Sequence, residues 1–110
     1  MDIIDEQLAA YNARDLERFV SCYADNYVMQ DGFGNVLCAG PDGIRALFGA
    51  LFAGSPALRC ELVSRMHAGA WTVDQEQITG FVLEGFPEEN DAVVAHHVAD
   101  GKIDRSLTLF

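Results

Sequence analysis

The stretch Tyr11-Asn12-Ala13-Arg14-Asp15-Leu16-Glu17-Arg18-Phe19 decides the fold of this 110-residue chain. Its first residues finish an amphipathic helix. Ile4, Leu8 and Tyr11 recur at helical spacing behind Asp2, Asp5 and Glu6, which suit a helix N-terminus, so a helix is predicted over about residues 2–13. Asp15 is placed to cap a second, short helix whose Leu16, Phe19, Val20 and Tyr23 make one apolar face. That helix leads into a strand over about residues 26–31. Asp31-Gly32-Phe33-Gly34-Asn35 then has the turn residues of a hairpin returning through Val36, Leu37 and Cys38.

Downstream, Gly40-Pro41-Asp42-Gly43 opens a third helix carried by Ile44, Leu47, Phe48 and Leu51, which closes near Gly54. The pattern then changes to strands at about 58–66, 71–83, 92–99 and 103–110. Ala68-Gly69, a polar loop over 86–91, and Asp100-Gly101 separate them. Helices first and an antiparallel meander after imply an α+β domain: three N-terminal helices packed on a strongly curved, mainly antiparallel sheet. Such a sheet forms a cone with a pocket at its mouth.

Length allows one domain over residues 1–110, with a core large enough to need no disulfide or metal. Seventeen acidic against seven basic residues give a net charge of −10, which repels phosphate backbones and anionic lipid, so no nucleic-acid and no membrane partner is expected. Cys22, Cys38 and Cys60 are odd in number and widely spaced, and read as small buried hydrophobes of a reducing compartment. The acidic N-terminus is unlike a secretory leader, and no apolar run has membrane-spanning length. A cytoplasmic protein is expected.

The Tyr11–Phe19 segment, the Cys22-Tyr23-Ala24-Asp25-Asn26 after it, Gly40 with Ile44, and Asp100-Gly101-Lys102-Ile103 together resemble the SnoaL-like branch of the nuclear transport factor 2-like superfamily. Its members share a cystatin-like α+β cone and include ketosteroid isomerase, limonene epoxide hydrolase and polyketide cyclases. One fold hosting many reactions makes the resemblance specific for fold and not for chemistry. It implies a pocket for a small hydrophobic molecule and an isomerase, cyclase or hydrolase acting by general acid/base catalysis without cofactor. A non-catalytic binding or dimerisation module of the same fold is the alternative. In ketosteroid isomerase terms the general base falls on Asp31, while the two oxyanion-hole donors fall on Gln7 and Ala95, so 3-oxosteroid isomerisation is not expected.

Asp31 is therefore the implied base; Asp followed by Gly beside a hairpin equally caps a turn. Asp74 and Glu76 lie two apart on a strand and share a face among apolar neighbours, either as an acid pair in the pocket or as an outer face opposite Arg59 or Arg65. Of the adjacent His96 and His97 only one can face inward, and the resemblance implies His97. Tyr11, one turn beyond Gln7, offers a replacement donor or a packing ring, and Met29, Phe48 and Phe110 are candidate pocket walls. The histidines lack the spacing of a closed metal site, so no metal is expected. On the last strand periodicity groups Ile103, Leu107 and Leu109, whereas the resemblance sends Ser106 and Phe110 inward. With both faces of that strand partly apolar, a homodimer packed through its sheets is expected.

Overall fold

In the computed structural model, which describes residues 2–109, the helices are α1 (Ile3–Ala13), α2 (Leu16–Val20) and α3 (Gly40–Gly54). The strands are β1 (Tyr23–Asp31), β2 (Val36–Ala39), β3 (Arg59–Ala68), β4 (Trp71–Thr79), β5 (Asn90–Ala99) and β6 (Lys102–Leu109). They form one curved sheet in the order β2-β1-β6-β5-β4-β3. Strands β3 to β6 are the expected antiparallel meander. The β1–β2 hairpin is added beside β6 through a parallel β1–β6 pairing, so the sheet is mixed at that seam.

Three residues of the opening corner, Asn12, Arg14 and Asp15, have identifiable mechanical tasks. Arg14 takes the left-handed conformation (φ 52°) that ends α1, its N–H turning back to the carbonyls of Ala10 and Tyr11. Its guanidinium donates to the Leu58 carbonyl at 3.1 Å. The Asp15 side chain accepts from the Arg18 N–H and caps α2. Asn12 grips strand β3 as a neighbouring strand would: its amide donates to the Cys60 carbonyl at 2.9 Å and its carbonyl accepts from the Cys60 N–H at 2.7 Å. Since β3 is the end strand of the sheet, those two backbone groups have no strand partner on that side. Asn12→Ala, which strands one donor and one acceptor, is expected to destabilise the protein by about 2–3 kcal/mol, measured as a lower urea midpoint at unchanged slope.

Two boundaries differ most from the sequence expectation. Strand β1 begins at Tyr23 rather than near residue 26, because parallel pairing of Tyr23 with Ile103 draws the end of the helical pattern into the sheet. Strand β4 stops at Thr79 rather than at 83. Gly80 sits at φ 68°, and a Cβ there would overlap the Ala57 carbonyl, so the chain turns away from the sheet. Ser55 at the end of α3 fixes the departing segment, its hydroxyl accepting from the Val82 N–H at 3.0 Å and donating to the Val82 carbonyl at 3.3 Å.

Two bulges set which side chains point inward. On β3 the register skips Val63, so Cys60 and Leu62 face inward before it and Arg65 and His67 after it. On β6 it skips Asp104, so Ile103 is followed on the inner face by Ser106 and Thr108, both buried, while Leu107 and Leu109 stay on the outer face. The conflict between periodicity and resemblance on the last strand dissolves there, since an extra residue reverses the alternation. Between helices and sheet lies an aromatic core centred on Phe19, whose ring is 4.7 Å from Phe48, 5.1 Å from Tyr23 and 5.5 Å from Phe52.

Candidate active site

The cone encloses a cavity of about 260 Å³ between α1, α3, the sheet and the segment after Gly80. Its walls are overwhelmingly apolar: Leu8, Met29, Leu47, Phe48, Leu51, Ile78, Phe81, Leu83, Ala92 and Val94, with Leu37 and Phe86 at the exposed rim. Seven lining residues carry polar groups: Gln7, Tyr11, Tyr23, Cys60, Glu76, His96 and Thr108. The space equals that of roughly nine waters at about 30 Å³ each, which suits one molecule of one or two rings.

Glu76 is the acid of this cavity. Strand β4 alternates so that Thr72, Asp74, Glu76 and Ile78 are buried on the inner face, and Glu76 reaches the cavity among hydrocarbon walls. Burial disfavours its charged form and the neighbouring Asp74 repels it, against weaker help from the Cys60 thiol and Arg65, and its pKa is pushed up to about 7. The Tyr11 hydroxyl shares this end of the cavity. Burial, with the nearby Cys60 and Glu76, holds it far above the ordinary phenol range, so Tyr11 stays a neutral hydrogen-bond donor. Burial also pushes the Cys60 thiol up, which makes it a donor rather than a nucleophile.

Asp74, 1% exposed, does not line the cavity. Arg65 clasps it with two parallel hydrogen bonds, Nε to Oδ1 at 2.7 Å and Nη2 to Oδ2 at 2.9 Å, and Arg65 also reaches Asp5 on α1. Asp74 thus points inward and yet pairs with the opposite-strand arginine, a combination that the Val63 bulge makes possible by turning Arg65 to the inner face. No cation lines the cavity among the described residues, because Arg65 is already engaged.

The structure does not bring Asp31 to the cavity. Its carboxylate closes the β1–β2 turn, accepting from the N–H groups of Phe33 and Asn35 and from the Asn35 amide, all at 2.9 Å. The Asn35 side-chain bond, with the two backbone bonds, holds its pKa below the ordinary value, so it is a turn-capping carboxylate rather than a tuned base. His97 is likewise elsewhere. It lies on the outer face, with Nδ1 2.6 Å from Asp104 and its ring against Trp71. Pairing of Thr72 with His96 places His96 on the inner face instead, 3% exposed and lining the cavity. Tyr11, Met29 and Phe48 line the cavity; Phe110 lies outside the described residues.

The sequence reading missed His96, Tyr23 and Cys60 as cavity residues. For His96 the available signal was the strand pairing, since Ala92, Val94 and His96 continue the face set by Glu76 and Asp74. Gln7, placed where a familiar oxyanion-hole donor would stand, donates from Nε2 to the Tyr23 hydroxyl at 3.0 Å.

A family described as a SnoaL-like domain matches residues 4–106. No curated protein matches the chain. Among solved structures, an uncharacterised cystatin-fold protein from Novosphingobium aromaticivorans is 27% identical and superposes with a TM-score of 0.88 over 98% of this chain and 95% of its own. A protein of ketosteroid isomerase-like fold from Catenulispora acidiphila, crystallised with trimethylamine, is 13% identical with a TM-score of 0.77, over 99% and 85% of the two chains. TerC, co-crystallised with polyporic acid, is 20% identical with a TM-score of 0.79, over 98% and 88%. The last two likenesses are of fold.

Proposed function

Because the chain belongs to the SnoaL-like domain family, we propose that it binds a small, uncharged, hydrophobic molecule in this cavity and moves a proton on it, without metal or cofactor. The observation that carries the reading is a single carboxyl group, Glu76, buried in an apolar cavity with its pKa near neutrality. As carboxylate it removes a proton from carbon or from a bound water. The displaced electron pair moves onto an oxygen of the substrate, which receives a hydrogen bond from the Tyr11 hydroxyl, and the proton is returned elsewhere on the molecule. Isomerisation and cyclisation contain this step; in hydrolysis the proton comes from a bound water, whose oxygen bonds to the electrophilic carbon while the bond to the leaving group breaks and that group takes up the proton. Among the described residues the walls offer an anion no free cation, which argues against an anionic substrate.

The proteins of similar fold crystallised with trimethylamine and polyporic acid hold unlike molecules, so the lining of this chain, and not fold analogy, selects its ligand. The reading is tested by NMR with small cyclic ketones in deuterated buffer. Perturbed signals of cavity residues together with deuterium exchange next to the ketone carbonyl, faster than in buffer, are expected. Binding without exchange is the signature of the alternative, a ligand-binding module, and no perturbation at all would overturn both.

A homodimer is part of the proposal. Met66, Val73, Ala95 and Leu107 stand directly opposite one another across β3, β4, β5 and β6 on the outer face, and Val93 and Leu109 continue the band. Met66 is 63% exposed and Leu109 43%, an apolar band that a second copy would cover. Light scattering at micromolar concentration is expected to give twice the chain mass, and Leu107→Glu to halve it. A wild-type monomer would remove this element. A cytoplasmic setting is supported by three unpaired buried thiols.

A further inference from the structure

We propose that His96, held by Ser106 as the neutral Nε2–H tautomer, donates a hydrogen bond to an acceptor oxygen of the bound molecule at the end of the cavity away from Glu76. This deepens the pocket reading and rests on it, but it requires binding only and not turnover.

The placement comes from the strand ladder. Glu76 is paired with Ala92, and His96 lies four residues further along β5, about 13 Å of strand at 3.3–3.4 Å per residue. Both side chains wall the same cavity, so its polar groups fall into two separated sets. One is Glu76 with Tyr11 and Cys60; the other includes His96.

The tautomer follows from counting protons. His96 Nδ1 lies 2.7 Å from the Ser106 hydroxyl, and both residues are buried. Ser106 has one hydroxyl proton, and among the described residues His96 Nδ1 is the hydrogen-bond partner of that hydroxyl. If Nδ1 carried the ring proton, the Ser106 O–H would turn to the Tyr27 oxygen, and the buried Tyr27 proton, with no other partner among the described residues, would be left without an acceptor. If Ser106 donates to Nδ1, every proton is placed and the oxygen of Ser106 keeps a lone pair for a second donor. Such a donor is at hand: the Tyr27 hydroxyl is buried, has no hydrogen-bond partner, and approaches Ser106 without reaching bonding geometry. With Nδ1 engaged on the β6 side, the Nε2 edge is the one left for the cavity. Burial keeps the ring uncharged, its pKa lowered to about 4, with Asp74 opposing and Arg65 adding to the effect.

A neutral N–H in an apolar wall selects a neutral acceptor. A ketone, aldehyde, quinone or ether oxygen satisfies it, whereas a hydrocarbon of the same shape leaves it unpaired and loses about fivefold to tenfold in affinity. Ser106 is a positioning residue in this scheme, since it acts only through the imidazole.

The test uses two measurements. Long-range ¹⁵N–¹H correlation on histidine-labelled protein is expected to show the Nε2–H form of His96 in the wild type, its loss in Ser106→Ala and its return in Ser106→Thr. Binding of 1-tetralone and of tetralin, two probes of nearly equal shape, is then compared. The ratio of the tetralin dissociation constant to that of 1-tetralone is expected to fall about fivefold to tenfold in His96→Phe and in Ser106→Ala, and to survive in His96→Gln, which keeps an N–H donor. A wild-type Nδ1–H tautomer, or a ratio that His96→Phe leaves unaltered, overturns the donor role while the pocket reading stands. Binding of neither probe overturns the pocket reading and the donor role with it.

Discussion

Glu76→Gln is expected to slow proton transfer on any bound substrate by about 10²–10⁴-fold, the usual contribution of a positioned general base, while apolar binding persists. The amide keeps the shape of the side chain and removes its capacity to take a proton. In the wild type the rate is expected to rise with pH through about 7, as the carboxylate form of Glu76 accumulates, and the variant should lack that rise. Stability offers an independent check that needs no substrate. The folded state holds its proton up to about 7, whereas the unfolded chain releases it near 4.5. Unfolding therefore releases a proton between these values, and stability falls as pH rises through that window and is level above it. At about 1.4 kcal/mol per unit, Glu76→Gln should gain about 3 kcal/mol on the wild type between pH 4 and pH 8. His96 works in the opposite sense. Its folded value near 4 against 6.5 unfolded lowers stability as pH falls. The two slopes offset each other between 4.5 and 6.5, so the difference between wild type and variant, and not the wild-type curve alone, isolates Glu76.

Arg65→Met is expected to cost about 3–5 kcal/mol, because it leaves the Asp74 carboxylate buried without its cation. Asp74 is 1% exposed and Arg65 is its bidentate partner, so neither solvent nor a second cation can substitute. Arg65 also ties α1 to the sheet through Asp5, which adds loss of packing between those layers. Asp74→Asn in the Arg65→Met background should recover most of the loss, since it discharges the stranded group. Urea denaturation of the four proteins gives the coupling directly. Equal stability of Arg65→Met and wild type would show that the pair contributes nothing. A functional effect accompanies the structural one: Arg65 counters the upward push on Glu76, so its removal should move the pH–rate profile to higher pH.

The fold was legible because the corner from Tyr11 to Asp15 marks where one helix ends and the next begins, although its ties to Leu58 and Cys60 are long-range and show only in the structure. The N-cap at Asp15 is written in its residue type and the strands after residue 57 are separated by glycine turns, whereas the left-handed cap falls on Arg14, a residue type that does not announce it. Glu76 was legible for a related reason: two acids on one face of an apolar strand are anomalous wherever that face lies. The choice between His96 and His97 was not legible. Both faces of β5 carry apolar residues, so alternation alone does not say which histidine faces inward; only the pairing of Thr72 with His96 on the neighbouring strand does. Asp31 failed in the other direction. A position at the strand end implied a base, but the turn beside it offers three donors, and a carboxylate satisfied by three hydrogen bonds has no reason to face hydrocarbon.

The grip of Asn12 on Cys60 and the Val63 bulge also bear on how copies of this chain coexist at high concentration. Strand β3 is ten residues long, ends the sheet and exposes Leu62, Val63 and Met66, the profile of a template for strand addition and fibril growth. A docking strand needs an uninterrupted row of free N–H and C=O groups. Asn12 occupies that row near one end, and the bulge breaks its spacing in the middle. The uninterrupted edge left over is shorter than the strand itself, which disfavours addition of another chain. The same corner that directs the chain into this fold thereby shortens the edge that β3 offers to another strand.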